Sequence, residues 1–379
     1  MGKIGFVGIR DRGNVGSKEN TGNFLHGFAA RQIVGGYQEI KRLDTDPATL
    51  AKLREEITHL GFVAATTIPV NREPEFTKKH AELADFIEAL GLPVVVFGLG
   101  AQAPLNATVE DAWVNENTLR LMNVLAAHSQ AIAVRGAFTA ELLLKYGIGN
   151  AEIIGCQSAF LSRRPDFRFP EICKGFADTP WDRTLVSITN ISQELEYVVP
   201  AMKSGATHIG QSAHFEYQLK EHPPVAALDD LPDETRALLT KGHSNCFAKG
   251  SIDFSEYQDW VRKNFQQFYN VPEWLDFIRG RFDLALGTRF HGNMTAMHGG
   301  VPALWVVHDS RTQEFCDHLG LPHAQLSTFQ NGTPIREIIG EHLDSSRFNA
   351  VYPKNYARFY DYLERQGVTH RLAPPLQDM

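Results

Sequence analysis

Long apolar runs are missing from this 379-residue sequence. Even Pro93 to Ala103 is short and glycine-rich, well under the ~18 to 20 uninterrupted apolar residues of a membrane-spanning helix. The start, Met1-Gly-Lys-Ile-Gly-Phe-Val-Gly-Ile-Arg10, carries an apolar stretch only a strand long, followed at once by Asp11, Arg12, Gly13 and Asn14. That is not the pattern of a secretory signal. Positive charge is also in deficit: the formal net charge is -7 and the pI is near 6.1. A general nucleic-acid binder, which displaces phosphate counterions with excess Lys and Arg, is thereby excluded. Any anion site must be local. Cysteine is scarce, with Cys156, Cys173, Cys246 and Cys316 forming no C-x-x-C pair. A reducing, cytoplasmic setting is expected, with contact at a membrane surface no more than transient. Neither a G-x-G-x-x-G fingerprint nor a G-x-S-x-G elbow is present, which leaves a dinucleotide cofactor and a serine-hydrolase nucleophile without support.

The composition, 43% hydrophobic and 21% charged, is that of a globular chain too long for a single core. Short apolar runs bounded by glycine alternate with amphipathic stretches, the pattern of βα units around parallel sheets. The first half predicts strands at 3–9, 61–66, 93–97, 131–134 and 152–154, with helices at 23–34, 77–90, 109–128 and 137–146. Val94-Val-Val-Phe97 leaves no polar face, so both sides of that strand must be covered. Prolines break every period between Ser162 and Pro180, which reads as a linker. The second half predicts strands at 183–189, 207–211, 282–287 and 303–307. Its helices fall at 193–204, 257–268, 273–279, 292–298 and 350–365. The stretch 222–249 reads as an insertion with a short helix at 234–239. The expected divisions are 1–165, a linker at 166–180, 181–345, and a C-terminal helical segment at 346–379.

The segment Gly287-Thr-Arg289-Phe-His291-Gly-Asn-Met-Thr-Ala-Met is the most informative. In parallel α/β domains ligands bind where strands end and helices begin, because the helix N-terminus offers free N–H groups and positive potential. Arg289 and His291 fall at such a junction, Arg135 follows the strand 131–134, and Arg311 follows the strand 303–307. Three arginines so placed in an acidic chain point to an anion-binding cleft. Gln102 and Gln211 sit at other strand ends, and Asn23 closes a glycine-rich loop after the first strand. His291 and His298, seven apart, lie roughly 10 Å from each other along a helix, too far to share a metal ion. His308, His318 and His323 add no i, i+4 pair. No metal site and no cofactor are expected. Cys156, in Gly155-Cys-Gln-Ser158, reads as a buried structural thiol.

Gly287-Thr-Arg-Phe-His-Gly-Asn-Met-Thr-Ala-Met297, Gly300-Val-Pro-Ala303, His308-Asp-Ser-Arg-Thr-Gln-Glu-Phe-Cys316, Val134-Arg-Gly136 and Gly155-Cys-Gln-Ser158 together resemble the polysaccharide pyruvyl transferases. The resemblance implies two Rossmann-like domains facing each other across a cleft, like the B-type glycosyltransferases, with a C-terminal helix returning to the first domain. It implies a phosphoenolpyruvate donor, which is a substrate and not a cofactor, and ketal formation on a sugar or glycan acceptor that can be lipid-linked. Arg135, Arg289 and His291 match the family's donor-binding positions. Arg311 stands where many members have Lys, and Asn14-Val-Gly-Ser17 replaces the usual Asn-x-Gly-Asp. His291 is assigned as general acid, with Arg135 and Arg289 beside it in catalysis, Arg311 completing the donor site, and Asn23, Gln102 and Gln211 facing the acceptor. Two other readings share this architecture: a nucleotide-sugar glycosyltransferase and a non-catalytic sugar-binding protein.

Overall fold

The computed structural model describes residues 3–8, 10–64, 67–172 and 180–376. The ends of the expected strands at Ile9 and Thr66, and residues 173–179 of the expected linker, Cys173 among them, lie outside the described residues. In the first half, β1 (Lys3–Val7), β2 (Tyr37–Ile40), β3 (Ile57–Val63), β4 (Ile68–Pro69), β5 (Val94–Phe97), β6 (Ala101–Gln102), β7 (Ile132–Val134) and β8 (Ala151–Ile153) follow one another. A four-stranded sheet runs β2-β1-β3-β5, all parallel. The parallel pair β7-β8 continues it through a bridge from Leu99, just past β5, to Val134. In the second half, β9 (Thr184–Ser187), β10 (Thr207–Gly210), β11 (Phe265–Gln267), β12 (Leu284–Gly287), β13 (Ala303–Val307) and β14 (His323–Gln325) form one parallel sheet ordered β11-β10-β9-β12-β13-β14. Both halves are therefore Rossmann-like, with the parallel strands that a βα alternation dictates.

The strands with no polar face lie deepest. All four residues of β5 and all five of β13 are buried, as parallel strands covered by helices on both sides must be. One apolar cluster runs through both halves: Phe6 and Phe97 belong to it, and so do Leu185, Trp305 and the aromatic stripe of the C-terminal helix Ser346–Arg365. On that helix Tyr362 donates to Val96 O at 2.8 Å, and Phe359 stacks on Phe160 at 4.9 Å, so a segment that follows the second sheet packs under the first.

Several expected boundaries move for local reasons. The helix expected from Val109 begins at Glu116, because the Asn115 side chain accepts from Thr118 N and caps it there. The expected helix 257–268 ends at Asn264, and Phe265–Gln267 pair with β10 as the edge strand β11. The helix expected at 193–204 starts at Leu195, after a single tight turn at Ile191–Gln193. Residues 222–249 hold two short helices, Asp233–Arg236 and Lys241–Ala248, and bury Leu231 and Cys246 against the second sheet. β2, β14 and the helices Pro47–Glu56 and Ser310–Leu319 were not expected. The last is capped by Asp309, which accepts from Thr312 N at 2.8 Å.

Candidate functional site

Arg135 leaves the end of β7 and turns inward rather than out to water. It is 1% exposed. Its Nε donates to Gly98 O at 3.1 Å and its Nη2 to Ala64 O at 3.3 Å, while the guanidinium lies 4.9 Å from the Phe315 ring centre. Nη1 is buried and finds no partner among the described residues. Burial first, and then the neighbouring Arg311, bring its pKa down to about 10, which still leaves it a cation at neutral pH. A buried cation with an unused N–H is costly, and a bound anion is what removes that cost. The chain makes room for it at Gly100, where a Cβ would lie 2.4 Å from Arg135 Cδ.

Arg289 is the residue before the helix Phe290–His298, at the end of β12, and its Nε donates to Ile188 O at 3.1 Å. Asn293 pins that helix start to the sheet by donating to Gly287 O at 2.9 Å and Leu304 O at 3.1 Å. Burial, the largest cause, and Arg311 lower the Arg289 pKa, opposed by Glu194 and Glu216. Glu194 in turn holds the neighbouring loop, accepting from Asn190 N at 2.7 Å, Thr189 N at 2.9 Å and Thr288 Oγ1 at 3.0 Å. His291, on the first turn of the helix, is held well below its ordinary pKa, by burial first and then by Arg135 and Arg311. It is therefore neutral in the free protein at neutral pH. A residue from the first half, Arg135, thus acts electrostatically on one from the second.

The two halves also touch through hydrogen bonds. Gln102 Nε2 donates to Asp309 Oδ2 at 3.2 Å, an oxygen that also pairs with Arg311 Nη2 at 3.3 Å. Ser310 Oγ donates to Ala103 O at 3.0 Å. Glu314, one turn on from Ser310, accepts from Thr139 N at 2.7 Å and from Thr139 Oγ1 at 3.0 Å, so it caps the helix Ala137–Lys145 that Arg135 precedes. Gln211 lies in the seam as well: its carbonyl accepts from Thr21 N at 2.8 Å, and its buried Nε2 has no partner among the described residues. That Nε2 packs against Gly292, where a Cβ would stand 2.6 Å from it. Asn23 is exposed on the first turn of the helix Asn23–Ile33.

That helix also supplies a residue the sequence reading missed. His26, 2% exposed, sets its ring edge-on to His291 with centroids 4.0 Å apart. Cys156 is fully buried beside them, 3.6 Å from His26 Nδ1 and 3.9 Å from His291 Nε2. These three residues are the set among the described residues that can hold a metal ion. A signal for His26 existed: it is a lone polar residue in Phe24-Leu-His-Gly-Phe28, the buried face of a helix that opens after a glycine-rich loop. Glu314 gave no comparable signal, since it acts on an element distant in the chain.

Thus Arg135, Arg289, His291 and Arg311 are brought together at the strand ends, Gln102 and Gln211 lie in the seam between the halves, and Asn23 lies on the surface. No curated protein sequence matches the chain. Among solved structures it is similar to the UDP-GlcNAc 2-epimerase of Methanocaldococcus jannaschii in complex with UDP-GlcNAc and UDP, with 10% identity, TM-score 0.41, and coverage of 93% of this chain and 83% of that one. It is similar also to the S. aureus MnaA–UDP co-structure, with 10% identity, TM-score 0.43, and coverage of 96% and 97%. Likeness at that level carries no argument about activity. The family model for polysaccharide pyruvyl transferase matches residues 71–310, which takes in Arg135, the Arg289-Phe-His291 segment and the Asp309–Ser310 clasp. The chain belongs to the polysaccharide pyruvyl transferase family.

Proposed function

We propose that this protein transfers the carboxyethylidene group of phosphoenolpyruvate to two hydroxyls of one sugar in a cell-surface polysaccharide or its precursor, forming a pyruvate ketal and releasing phosphate. The observation that carries this reading is the gathering of Arg135 from one half with Arg289, Arg311 and His291 from the other around one site. A small donor with a carboxylate and a phosphate needs two anion clamps, and guanidinium forks fit both groups. The reaction also needs a proton at the donor's methylene carbon.

His291 is the group for that proton. Protonation of the methylene breaks the enol double bond and leaves a cationic C2, which the first sugar hydroxyl attacks. The second hydroxyl closes the ring as the C2–O bond to phosphate breaks. The two hydroxyl protons end on the methyl group and on phosphate, so His291 can give its proton to carbon and recover one from a hydroxyl. The donor favours the charged histidine: its negative charge offsets Arg135 and Arg311, which add to the larger effect of burial in holding His291 neutral in the free protein. Gln102, Gln211 and Asn23 are assigned to the acceptor sugar. The setting is cytoplasmic, with access to lipid-linked acceptors at the membrane face; no described helix is long and apolar enough to cross a membrane.

The test is incubation of the full chain with phosphoenolpyruvate and a panel of glycans. Phosphate release matched by a carboxyethylidene mass gain on one glycan supports the proposal. Transfer of a sugar from a nucleotide-sugar, with phosphoenolpyruvate left intact, overturns it.

A further inference from the structure

Ligand spacing along the chain gives no metal site, yet the fold assembles one from three separate segments. His26 comes from the helix Asn23–Ile33, Cys156 from the turn that follows β8, and His291 from the start of the helix Phe290–His298. One potential ligand atom from each lies within 4.8 Å of the others, and the two sulfur–nitrogen distances are 3.6 and 3.9 Å. Zinc with sulfur at ~2.3 Å and nitrogen at ~2.0 to 2.1 Å in a tetrahedron needs ligand separations of roughly 3.3 to 3.6 Å. The sulfur–nitrogen separations of 3.6 and 3.9 Å lie at and slightly beyond that range, so a bound ion draws the three side chains closer together.

The donor set selects the metal class. One thiol and two imidazoles suit a borderline-soft cation and are poor ligands for magnesium or calcium, which seek oxygen. We propose that His26, Cys156 and His291 form a three-residue zinc site in the donor-free cleft, leaving the fourth coordination position for water. Zinc displaces the thiol proton to solvent as the S–H bond breaks and the S–Zn bond forms; no oxidation state changes. Ser158 Oγ, 2.9 Å from the sulfur, is placed to donate to the thiolate. Gln157 Nε2, 3.2 Å from His26 Nδ1, must yield that lone pair to the metal. Arg135 and Arg311 oppose a dication and the thiolate offsets one charge, so the site binds zinc less tightly than a dedicated structural zinc site does.

One consequence rests on the proposed role of His291: zinc on its Nε2 occupies the lone pair that must carry the proton. Zinc and phosphoenolpyruvate turnover then exclude each other, and zinc is an inhibitor. Formation of the site does not depend on that role.

The full-length chain, stripped with a chelator, is titrated with Zn2+ against a chromophoric chelator and separately with Co2+, following the thiolate-to-cobalt charge-transfer band. One equivalent of Zn2+ should bind and the band should appear. Cys156→Ser should abolish the band. His26→Ala should weaken Zn2+ binding by at least the roughly 10- to 100-fold that loss of even an outer-shell partner costs, and should carry the test if Cys156→Ser does not fold. Cys246→Ser, a buried cysteine far along the chain, should change neither readout. A band that survives Cys156→Ser, binding unaffected by His26→Ala, or no binding of either metal overturns the site. Zinc bound with turnover unchanged overturns the exclusion between metal and donor. Failure of the chelated protein to use phosphoenolpyruvate overturns the functional reading alone, because the metal titration needs no turnover.

Discussion

Glu314 offers the sharpest physical test of how the two halves hold each other. Its carboxyl caps the helix Ala137–Lys145 from across the seam, and burial pushes its pKa from 4.5 up to about 7, against the opposing pull of Thr139 and Arg135. A pKa higher in the folded protein than in the unfolded chain contributes stability that is complete below pH 4.5 and is lost as pH rises through about 7. A rise of that size is worth roughly 3 kcal/mol at ~1.36 kcal/mol per unit. Glu314→Gln keeps the shape, still accepts from Thr139 N, and cannot ionise. The variant should match the parent near pH 5 and become the more stable of the two as pH rises to 9, by up to about 3 kcal/mol. Thermal and urea unfolding of both proteins across that range measures the difference, and subtracting the curves removes every other titrating group. A difference independent of pH would refute the assignment of the buried charge. So would a variant that loses ground as pH rises, because the carboxylate would then be stabilised by the helix end and Arg135.

Four further outcomes are expected. His291→Ala should lower turnover by roughly 10² to 10⁴ with little change in melting temperature, since general-acid loss commonly costs that much; near-normal turnover removes it from the mechanism. Phosphoenolpyruvate binding should take up a proton above pH 7, because His291 starts neutral, and affinity should fall as pH rises; calorimetry in buffers of different ionisation enthalpy measures this, and His291→Ala should abolish the uptake. Gly100→Ala should destabilise the fold by about 1 to 3 kcal/mol and weaken donor binding by displacing Arg135, both read from thermal shift with and without phosphoenolpyruvate. Turnover should survive exhaustive chelation, checked by phosphate release with and without EDTA, since the arginines supply the charge neutralisation.

The parts of the fold legible in the sequence were those dictated by local composition. Val94–Phe97 and Ala303–Val307 could only be buried parallel strands, and the arginines stood after strand ends where parallel sheets present their edges. The helix expected from Val109 starts only at Glu116, where the Asn115 side chain caps it. The helix Ser310–Leu319 was missed although Asp309-Ser-Arg-Thr312 carries an N-cap residue at the right spacing. His26, Cys156 and Glu314 were not legible as partners for a different reason. His26 and His291 are 265 positions apart, and nothing local records that two helix starts meet.

The C-terminal helix ties the two chain crossings together. Where the chain leaves the first half, Ser162 Oγ lies 3.1 Å from Tyr352 OH, Tyr356 OH donates to Arg163 O at 2.7 Å, and Phe169 N donates to Asn349 Oδ1 at 2.9 Å. Residues 162–169 and the C-terminal helix are therefore laced side by side. With the Gln102–Asp309, Ser310–Ala103 and Glu314–Thr139 contacts of the seam, that lacing holds the halves together at both ends of the cleft. A ligand that enters the cleft therefore meets walls already held in register, and less of its binding energy is spent on ordering them.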